Sequence, residues 1–488
     1  MTNRRVLLAA VLAASLAIAT TAEAQTTRLT LEQAIALATG HSEAVDIAHA
    51  GEARADAEQM RVRSLKLPQL SFAGTYSRTI ASEFSGAFDT SSSTPTCAPL
   101  SVDASKPVAD RLAELERAAA CGAIGPSFSF GKLPFGQRNI YQGALSFSQS
   151  VYTGGRQRAE ETQATLGRRA AGLVTSAAEA QVTLEVTQAF YDAALSDRLM
   201  TIAESGYDQA AATYDQVRLA FEAGRQPEFE SLRAQVARDN QRPAVIRNRA
   251  NRDIAYLRLR QLLELSADAP LALAVDLDAP TLEAPAPFVD ALAAARAAGT
   301  VADRAGVRQA ETTLSLREAG VQIAVAERRP SISVTSAFAR VGYPSDGVFP
   351  GIGDFRSNWS LSASLQMPIL TGGRLKASEM TARANLSEAQ AQLKQARELA
   401  VLDSATALQD LTAAEATLEA SAGTVEQAQR AYEIAALRNR EGLSTQLELS
   451  DSRLSLQVAQ ANRAQAARDV QVARARVALL PNLPIAQR

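Results

Sequence analysis

Imidazole, thiol and aromatic surface are all scarce in this chain of 488 residues. Two His make metal or acid–base sites built on imidazole a poor expectation. The 50 basic and 52 acidic residues leave a formal charge of −2, so bulk charge predicts neither nucleic-acid nor polyanion binding. Aromatics are 5%, lean for an enzyme core, whereas hydrophobics at 47% allow a large core of closely packed Ala-rich helices. No apolar run after Ala24 is long enough to cross a bilayer as a helix. No nucleophile–base constellation, metal spacing or cofactor loop is visible. The expectation is therefore no catalysis, no metal and no cofactor.

The N-terminus carries a strong signal. Arg4 and Arg5 precede the apolar run Val6–Ala19, and Ala22-Glu23-Ala24 has the small-x-small form of a cleavage site. This predicts a signal peptide over 1–24. The alternative, an uncleaved anchor helix, needs ~20 apolar residues, and the run is shorter. No Cys follows the cleavage point, so lipidation there is not indicated. An exported chain without a spanning helix is either soluble or a β-type membrane protein. Cys97 and Cys121 are the only cysteines, and export favours a disulfide over free thiols.

What is abundant is repetition. Tyr152-Thr153-Gly154-Gly155-Arg156 returns as Leu370-Thr371-Gly372-Gly373-Arg374, 218 positions later. Gly224 lands on Gly442 at the same offset of 218. The intervening segments are equally long, which points to an internal duplication. Upstream, Pro68 in "LKLPQLSF" matches Pro330 in "ERRPSISV" at an offset of 262. The excess of 44 falls between Pro68 and Gly154, in a stretch with loop composition that holds both cysteines.

Four segments beside these markers alternate with period two. Leu70, Phe72 and Tyr76 oppose Ser71, Ala73, Thr75 and Ser77; Leu145, Phe147 and Val151 oppose Ala144, Ser146, Ser148 and Ser150. In the second copy Ile332, Val334 and Phe338 oppose Ser331, Ser333, Thr335 and Ala337. Trp359, Leu361, Leu365, Met367 and Ile369 oppose Ser360, Ser362, Ser364 and Gln366. Each reads as a strand with one apolar and one small polar face. A soluble sandwich would bury the apolar face. A membrane barrel would turn it to lipid, with Trp359, Tyr141 and Tyr343 near strand ends as interfacial aromatics. Strands of ~9–11 residues are of bilayer length, which favours the membrane. Four strands cannot close a barrel, because the smallest have about eight. An open edge is not tolerated in lipid, so several chains must share one barrel. A pore wide enough for a solute favours three or more copies.

Between Arg156 and Glu222 there is no Pro, and Val186, Ala193, Met200, Tyr207, Tyr214 and Phe221 recur every seven residues. That is a coiled-coil seam in a helix of about 100 Å. Leu375–Asn439 is equally Pro-free. Gly224 and Gly442 then mark hairpin tips, with Pro227 suited to the first turn of a returning helix. The Gly-Gly pairs are strand-to-helix joints, where the chain needs glycine's backbone freedom and Thr153 or Thr371 offers a capping oxygen. Pro68 and Pro330 are the reverse, helix-to-strand joints. The competing phosphate-loop reading of Gly-Gly-Arg lacks the Lys-Ser/Thr and the strand–loop–helix unit.

Helix–Pro–strand–loop–strand–TGGR–long helix–Gly tip–helix, duplicated, resembles the TolC family of outer-membrane efflux proteins. The resemblance covers nearly the whole chain after residue 24. It implies a homotrimer with a twelve-stranded outer-membrane β-barrel, four strands from each chain, continued by a long periplasmic α-helical coiled-coil barrel. It implies a passive exit duct of a tripartite efflux or type I secretion system, in the Gram-negative cell outer membrane and extending into the periplasm. Its partners would be outer-membrane lipid, a periplasmic adaptor (membrane fusion) protein and an inner-membrane RND or ABC transporter, with no nucleic acid. The alternative is a periplasmic coiled-coil adaptor or scaffold without a pore.

On this frame the first repeat spans 25–265, with a helix to Pro68, strands 69–80 and 142–152, an extracellular loop 81–140, a long helix 156–222 and a returning helix 228–265. A connector covers 266–287. The second repeat spans 288–480, with a helix to 329, strands 331–341 and 358–369, a long helix 374–439 and a returning helix 445–480; the tail is 481–488. Family members close the periplasmic end near the Gly tips with polar contacts and acidic rings, and the tips meet the adaptor. The resemblance places Glu230, Glu448 and Asp451 at such a constriction, and Gly224 and Gly442 at the adaptor contact. The plainer reading of these acids is a solvated helix face. This chain departs from the family's best-known member, which has an Arg two residues after the second Gly and a Tyr three before it. Ser444 and Asn439 stand there, with Arg438 and Arg440 as candidate substitutes for the Arg.

Overall fold

A computed structural model describes residues 28–81, 100–120, 138–279, 282–298, 303–344 and 349–485. The expected signal peptide, Cys97 and Cys121 lie outside them. The described helices in chain order are α1 (Leu31–His41), α2 (Glu43–Ser64), α3 (Val108–Ala120), α4 (Arg156–Glu222), α5 (Glu228–Asp239), α6 (Arg242–Leu262), α7 (Val289–Ala298), α8 (Ala305–Ala326), α9 (Arg374–Arg440) and α10 (Gln446–Leu479). The strands are β1 (Arg28–Leu29), β2 (Gln69–Arg78), β3 (Asn139–Tyr152), β4 (Ala272–Leu273), β5 (Ser331–Gly342) and β6 (Phe355–Gln366). Among the described residues no helix is long and apolar enough to cross a membrane.

Several expectations need correction. The returning helix of the first repeat is not continuous over 228–265 but breaks between α5 and α6 at Asn240–Gln241. Pro243 explains the break: it has no N–H to donate and sits in the first turn of α6, where none is required. The segment 81–140 is not all loop. It contains α3, whose "VADRLAELERAAA" is rich in helix formers, and β3 already begins at Asn139. The last strand runs Phe355–Gln366 rather than 358–369, because its partner β5 begins at Ser331, opposite Gln366, and offers no ladder beyond. Pro227 also sits at the N-cap of α5 rather than inside it.

The chain forms two compact units. One comprises residues up to 59, 162–321 and from 380 onward, and its described secondary structure is helical apart from the short parallel pair β1–β4. Its core gathers α4 around Val186 and Phe190, α10 around Ala467 and Val477, Leu259 of α6 and Phe288 just before α7. Along α4 the expected seam is buried at Val186 and Ala193 but exposed by Phe221. A second series, Val182, Ala189, Ser196, Ala203, Ala210 and Val217, is buried at every seventh position. Small residues dominate this seam, which lets helices approach closely.

Ion pairs brace the helices. Asp192 of α4 binds Arg468 of α10, and Asp197 accepts from Arg252 at 2.5 Å and from the Tyr256 hydroxyl at 2.5 Å. Burial, with the Asp197 carboxylate second, pushes the Tyr256 hydroxyl above its ordinary pKa. Arg304, 0% exposed, donates to Asp403 at 2.8 Å and to the carbonyls of Leu483 and Pro484 at 3.4 and 3.3 Å. It thereby ties the C-terminal segment to α9.

The other unit comprises residues 60–161 and 322–379. Its sheet is antiparallel, in the order β2-β3-β5-β6. Leu70, Phe72, Trp359, Leu361 and Leu365 stay exposed on one face, with Trp359 at 77%. On the other face Ser333 and Thr335 share hydroxyl hydrogen bonds of 2.8 Å with Ser364 and Ser362. A soluble sandwich would bury the apolar face, so that alternative fails. The two Gly-Gly joints are copies: φ is 65° and 93° at Gly154 and Gly155, and 57° and 90° at Gly372 and Gly373. These values open the turn from strand to helix without the Cβ clash that other residues meet there. Thr153 caps the first joint, its Oγ1 accepting from the Gln157 N–H at 3.3 Å.

Replacing Arg304 by Ala leaves two carbonyls in the interior without their donor and leaves Asp403 with Arg476 as its remaining partner. The expected loss is about 3 kcal/mol or more of unfolding free energy in chemical denaturation. Arg397→Ala, which breaks an exposed pair with Glu311, should lose under about 1 kcal/mol. Equal losses would contradict the anchoring role.

Candidate functional site

Both hairpins turn by the same device. Gly224 and Gly442 have φ of 71° and 73°. The Gly224 N–H bonds Phe221 O at 2.8 Å and the Arg225 N–H bonds Ala220 O at 2.8 Å. The second tip repeats this, with Gly442 N–H to Asn439 O at 3.0 Å and Leu443 N–H to Arg438 O at 2.7 Å. These paired bonds satisfy the last carbonyls of α4 and α9, and they require the left-handed residue that Gly supplies.

The second tip carries an added side-chain lock. Asn439 Nδ2 donates to Ser444 O at 3.1 Å, Ser444 Oγ donates to Ala435 O at 3.4 Å, and Gln446 Nε2 donates to Asn439 Oδ1 at 3.4 Å. Asn439 and Ser444, the two departures from the family pattern, are thus partners within one turn. Arg438, the candidate substitute, donates to Leu443 O at 3.4 Å and caps the same turn. Among the described residues Arg440 has no hydrogen bond or ion pair and acts only through its charge on Tyr432.

The three expected acids all stand in or beside the first turn of a returning helix. Glu448 and Asp451 are exposed on α10, and Glu230 is half-buried on α5. Thr445 caps α10 by accepting from the Glu448 N–H at 3.3 Å. Carboxylates in a first turn favour the positive helix end, so Glu230 and Glu448 also serve local structure. Among the described residues no ion pair or side-chain hydrogen bond engages these three carboxylates.

Sequence reasoning passed over two Tyr–Arg pairs. Tyr214 and Tyr432 each precede their tip Gly by 10 residues. Tyr214 lies under the Arg238 guanidinium at 4.5 Å, whereas Tyr432 faces Arg453 of α10. Arg453 is 4% exposed and its Nε has no hydrogen-bond partner. Burial lowers its pKa below the ordinary guanidinium range, with Tyr432 opposing the shift. Burial likewise raises the Tyr432 hydroxyl, and Arg453 and Arg440 pull it back. The available signal was heptad position: Gln446 and Arg453 lie seven apart among the buried Leu449 and Leu456. Among the described residues no group of acidic, His or Cys side chains is arranged to hold a metal.

Comparison with known proteins agrees with this architecture. The family model described as outer membrane efflux protein matches residues 131–264 and 300–482. Nodulation protein T of Rhizobium leguminosarum bv. viciae is 23% identical over 333 residues, 67% of this chain and 66% of that protein. Its counterpart from bv. trifolii is 25% identical over 286 residues, 58% and 59% of the two lengths. The match spans less than two thirds of either relative. Among solved structures, VceC of Vibrio cholerae superposes with a TM-score of 0.69 at 18% identity, covering 92% of this chain and 95% of that one. The CmeC outer membrane channel of Campylobacter jejuni gives 0.68 at 14% identity, covering 94% and 87%. The open state of the MtrE outer membrane channel of Neisseria gonorrhoeae gives 0.68 at 19% identity, covering 93% and 89%.

Arg453→Met removes a buried charge that lacks a carboxylate and keeps most of its volume. Removing it relieves the desolvation penalty of an uncompensated buried charge, so the thermal midpoint of the purified protein should hold or rise. A loss beyond about 1 kcal/mol would mean that an anion reaches Arg453 in the assembled particle.

Proposed function

Because the chain belongs to the outer membrane efflux protein family, we propose that it is the passive exit duct of a tripartite efflux or type I secretion system. It works as a homotrimer and carries out no catalysis of its own. The observation that carries the reading is the sheet of four strands with an exposed apolar face and two free edges. Backbone groups on such edges must find partners in lipid. Three copies supply twelve strands, enough for a lumen lined by the Ser- and Thr-rich face. Energy for transport comes from an inner-membrane pump of the RND or ABC type. A periplasmic adaptor joins the two, meeting the duct at the Gly224 and Gly442 tips. A pore-less adaptor or scaffold is not favoured, since it has no use for a lipid-facing sheet.

The gate reading assigns Glu230, Glu448 and Asp451 to a constriction. Three-fold symmetry repeats each carboxylate around the axis, and a ring of like negative charge at a narrow point favours cations. The lock of Asn439, Ser444 and Gln446 fixes the turn that presents Glu448 and Asp451. It takes the place of an Arg–carboxylate link by holding the tip within one protomer.

Changing Glu448 and Asp451 together to Ala should weaken cation preference in planar-bilayer conductance, read as a shift of reversal potential toward zero under a salt gradient. Unchanged selectivity with normal conductance would mean that they do not line the narrowest point.

A further inference from the structure

A charged side chain on the apolar face of a membrane strand gives up water and meets hydrocarbon, at a cost that an anion can offset. Arg340 of β5 is such a residue. The ladder places it opposite Gly143 of β3 and Ser357 of β6, one row beyond the pair Phe338–Trp359 and on the same face. Arg78 is its image at an offset of 262, and it ends β2 on the face of Leu70, Phe72 and Tyr76. Both side chains are exposed. Among the described residues neither side chain has an ion pair or a hydrogen bond. The Arg340 guanidinium lies over the Phe355 ring at 5.7 Å, a contact that orients the charge without neutralising it.

The sheet itself supplies no anion beside Arg340. β5 is an inner strand, so its neighbours on both sides belong to this chain. Further strands added at the edges leave Gly143 and Ser357 in place. Gly143 and, beyond it, Gly74 add no side chain to that row. The Phe72 ring lies 3.6 Å from where a Gly143 Cβ would stand. The surface beside the guanidinium is therefore open and floored by an aromatic ring.

The two rows between Arg340 and the helix joints form a shallow hollow of about 350 Å³, lined by Leu70, Leu145, Phe147, Ser336, Phe338 and Trp359. Its one hydroxyl, Ser336 Oγ, already accepts from Trp359 Nε1 at 3.0 Å. The hollow thus offers only apolar contact. Its lining comes from all four strands, so at ~4.8 Å per strand it is ~14 Å wide and takes several acyl chains side by side. The strands meet their helices at the other end, by Pro68, Gly154, Pro330 and Gly372. In an outer-membrane protein that extends into the periplasm, Arg78 and Arg340 therefore stand at the outer leaflet.

We infer that Arg340 and the hollow beside it bind the anionic glycolipid of the outer leaflet. The guanidinium takes a phosphate of the head group through paired N–H···O bonds, and the acyl chains lie across the hollow. Arg78 holds a second head group at the equivalent place in the other repeat. The inference rests on the reading that this face of the sheet meets lipid, and it adds the class of lipid and the residue that selects it.

Trp359 is the only Trp of the chain, so its fluorescence reports this site alone. The test reconstitutes the full-length protein in phosphatidylcholine vesicles, with a minor fraction of one lipid carrying dibrominated chains that quench indole on contact. Brominated phosphatidylglycerol, the anionic probe, should quench Trp359 as though enriched about five-fold over its mole fraction. That is the effect of the ~1 kcal/mol that one Arg supplies at a membrane surface. Unlabelled lipid A should displace the probe at a lower mole fraction than unlabelled phosphatidylglycerol, an arm that needs no variant. Arg340→Gln should abolish the enrichment, and Arg340→Lys should keep part of it, holding the charge without the paired bonds. Arg356→Gln, on the opposite face across from Val341, should leave it unchanged. Enrichment that survives in Arg340→Gln would overturn the site. Equal displacement by the two unlabelled lipids would overturn the assignment to the glycolipid. Brominated phosphatidylcholine alone should also quench the wild type; if it does not, the lipid-facing reading of the sheet fails, whatever the head group.

Discussion

A backbone N–H or C=O in hydrocarbon can be satisfied only by another backbone group, and most of this architecture follows from that constraint. Among the described residues the chain carries four bilayer-length strands. Their apolar face is exposed and both edges are open. On the proposed reading the sheet is a fraction of a structure that identical chains complete. The Gly-Gly joints follow from the chain passing directly from strand into long helix.

The helical unit solves a different problem. It has few aromatics, so stability comes from small residues packed at close range and from ion pairs at chosen points. Ala189, Ala203 and Ala210 repeat along the buried seam of α4. Arg304, Asp197 and Asp192 fix the helices and the C-terminal segment by charge-assisted bonds. Their geometry is specific where Ala-on-Ala packing is permissive, and this division fits helices that must hold one register over 67 residues.

Much of the fold was legible because its punctuation is chemical. Gly154, Gly224 and their images sit at positive φ, and Pro68 and Pro330 stand at the turn from helix to strand. Alternation in β2, β3, β5 and β6 has a physical cause that a short window reveals. Other features depend on distant partners. The end of β6 at Gln366 is set by where β5 begins. Helix α3 hides in a stretch whose Gly, Pro and Cys content suggested loop, and the break before α6 was signalled by Pro243 alone. The tip was the least legible region. Asn439 and Ser444 first register as departures from a family pattern, and only their mutual hydrogen bond gives them a role. Arg453 is a charge at an apolar heptad position, which periodicity flags without saying what faces it.

The two copies have diverged in length at one end only. Joint to tip counts 70 residues in each, and both long helices hold 67. Between helix-ending Pro and Gly-Gly joint the first copy is 44 residues longer than the second. An insertion beyond the strands leaves the ladder register untouched. One residue added to a long helix would rotate everything after it by about 100° and lift it by about 1.5 Å, turning buried Ala to solvent and setting one tip out of step with the other. Length is thus free to drift beyond the sheet and held fixed along the rods, so variants of this chain would explore new shapes through the segment between β2 and β3.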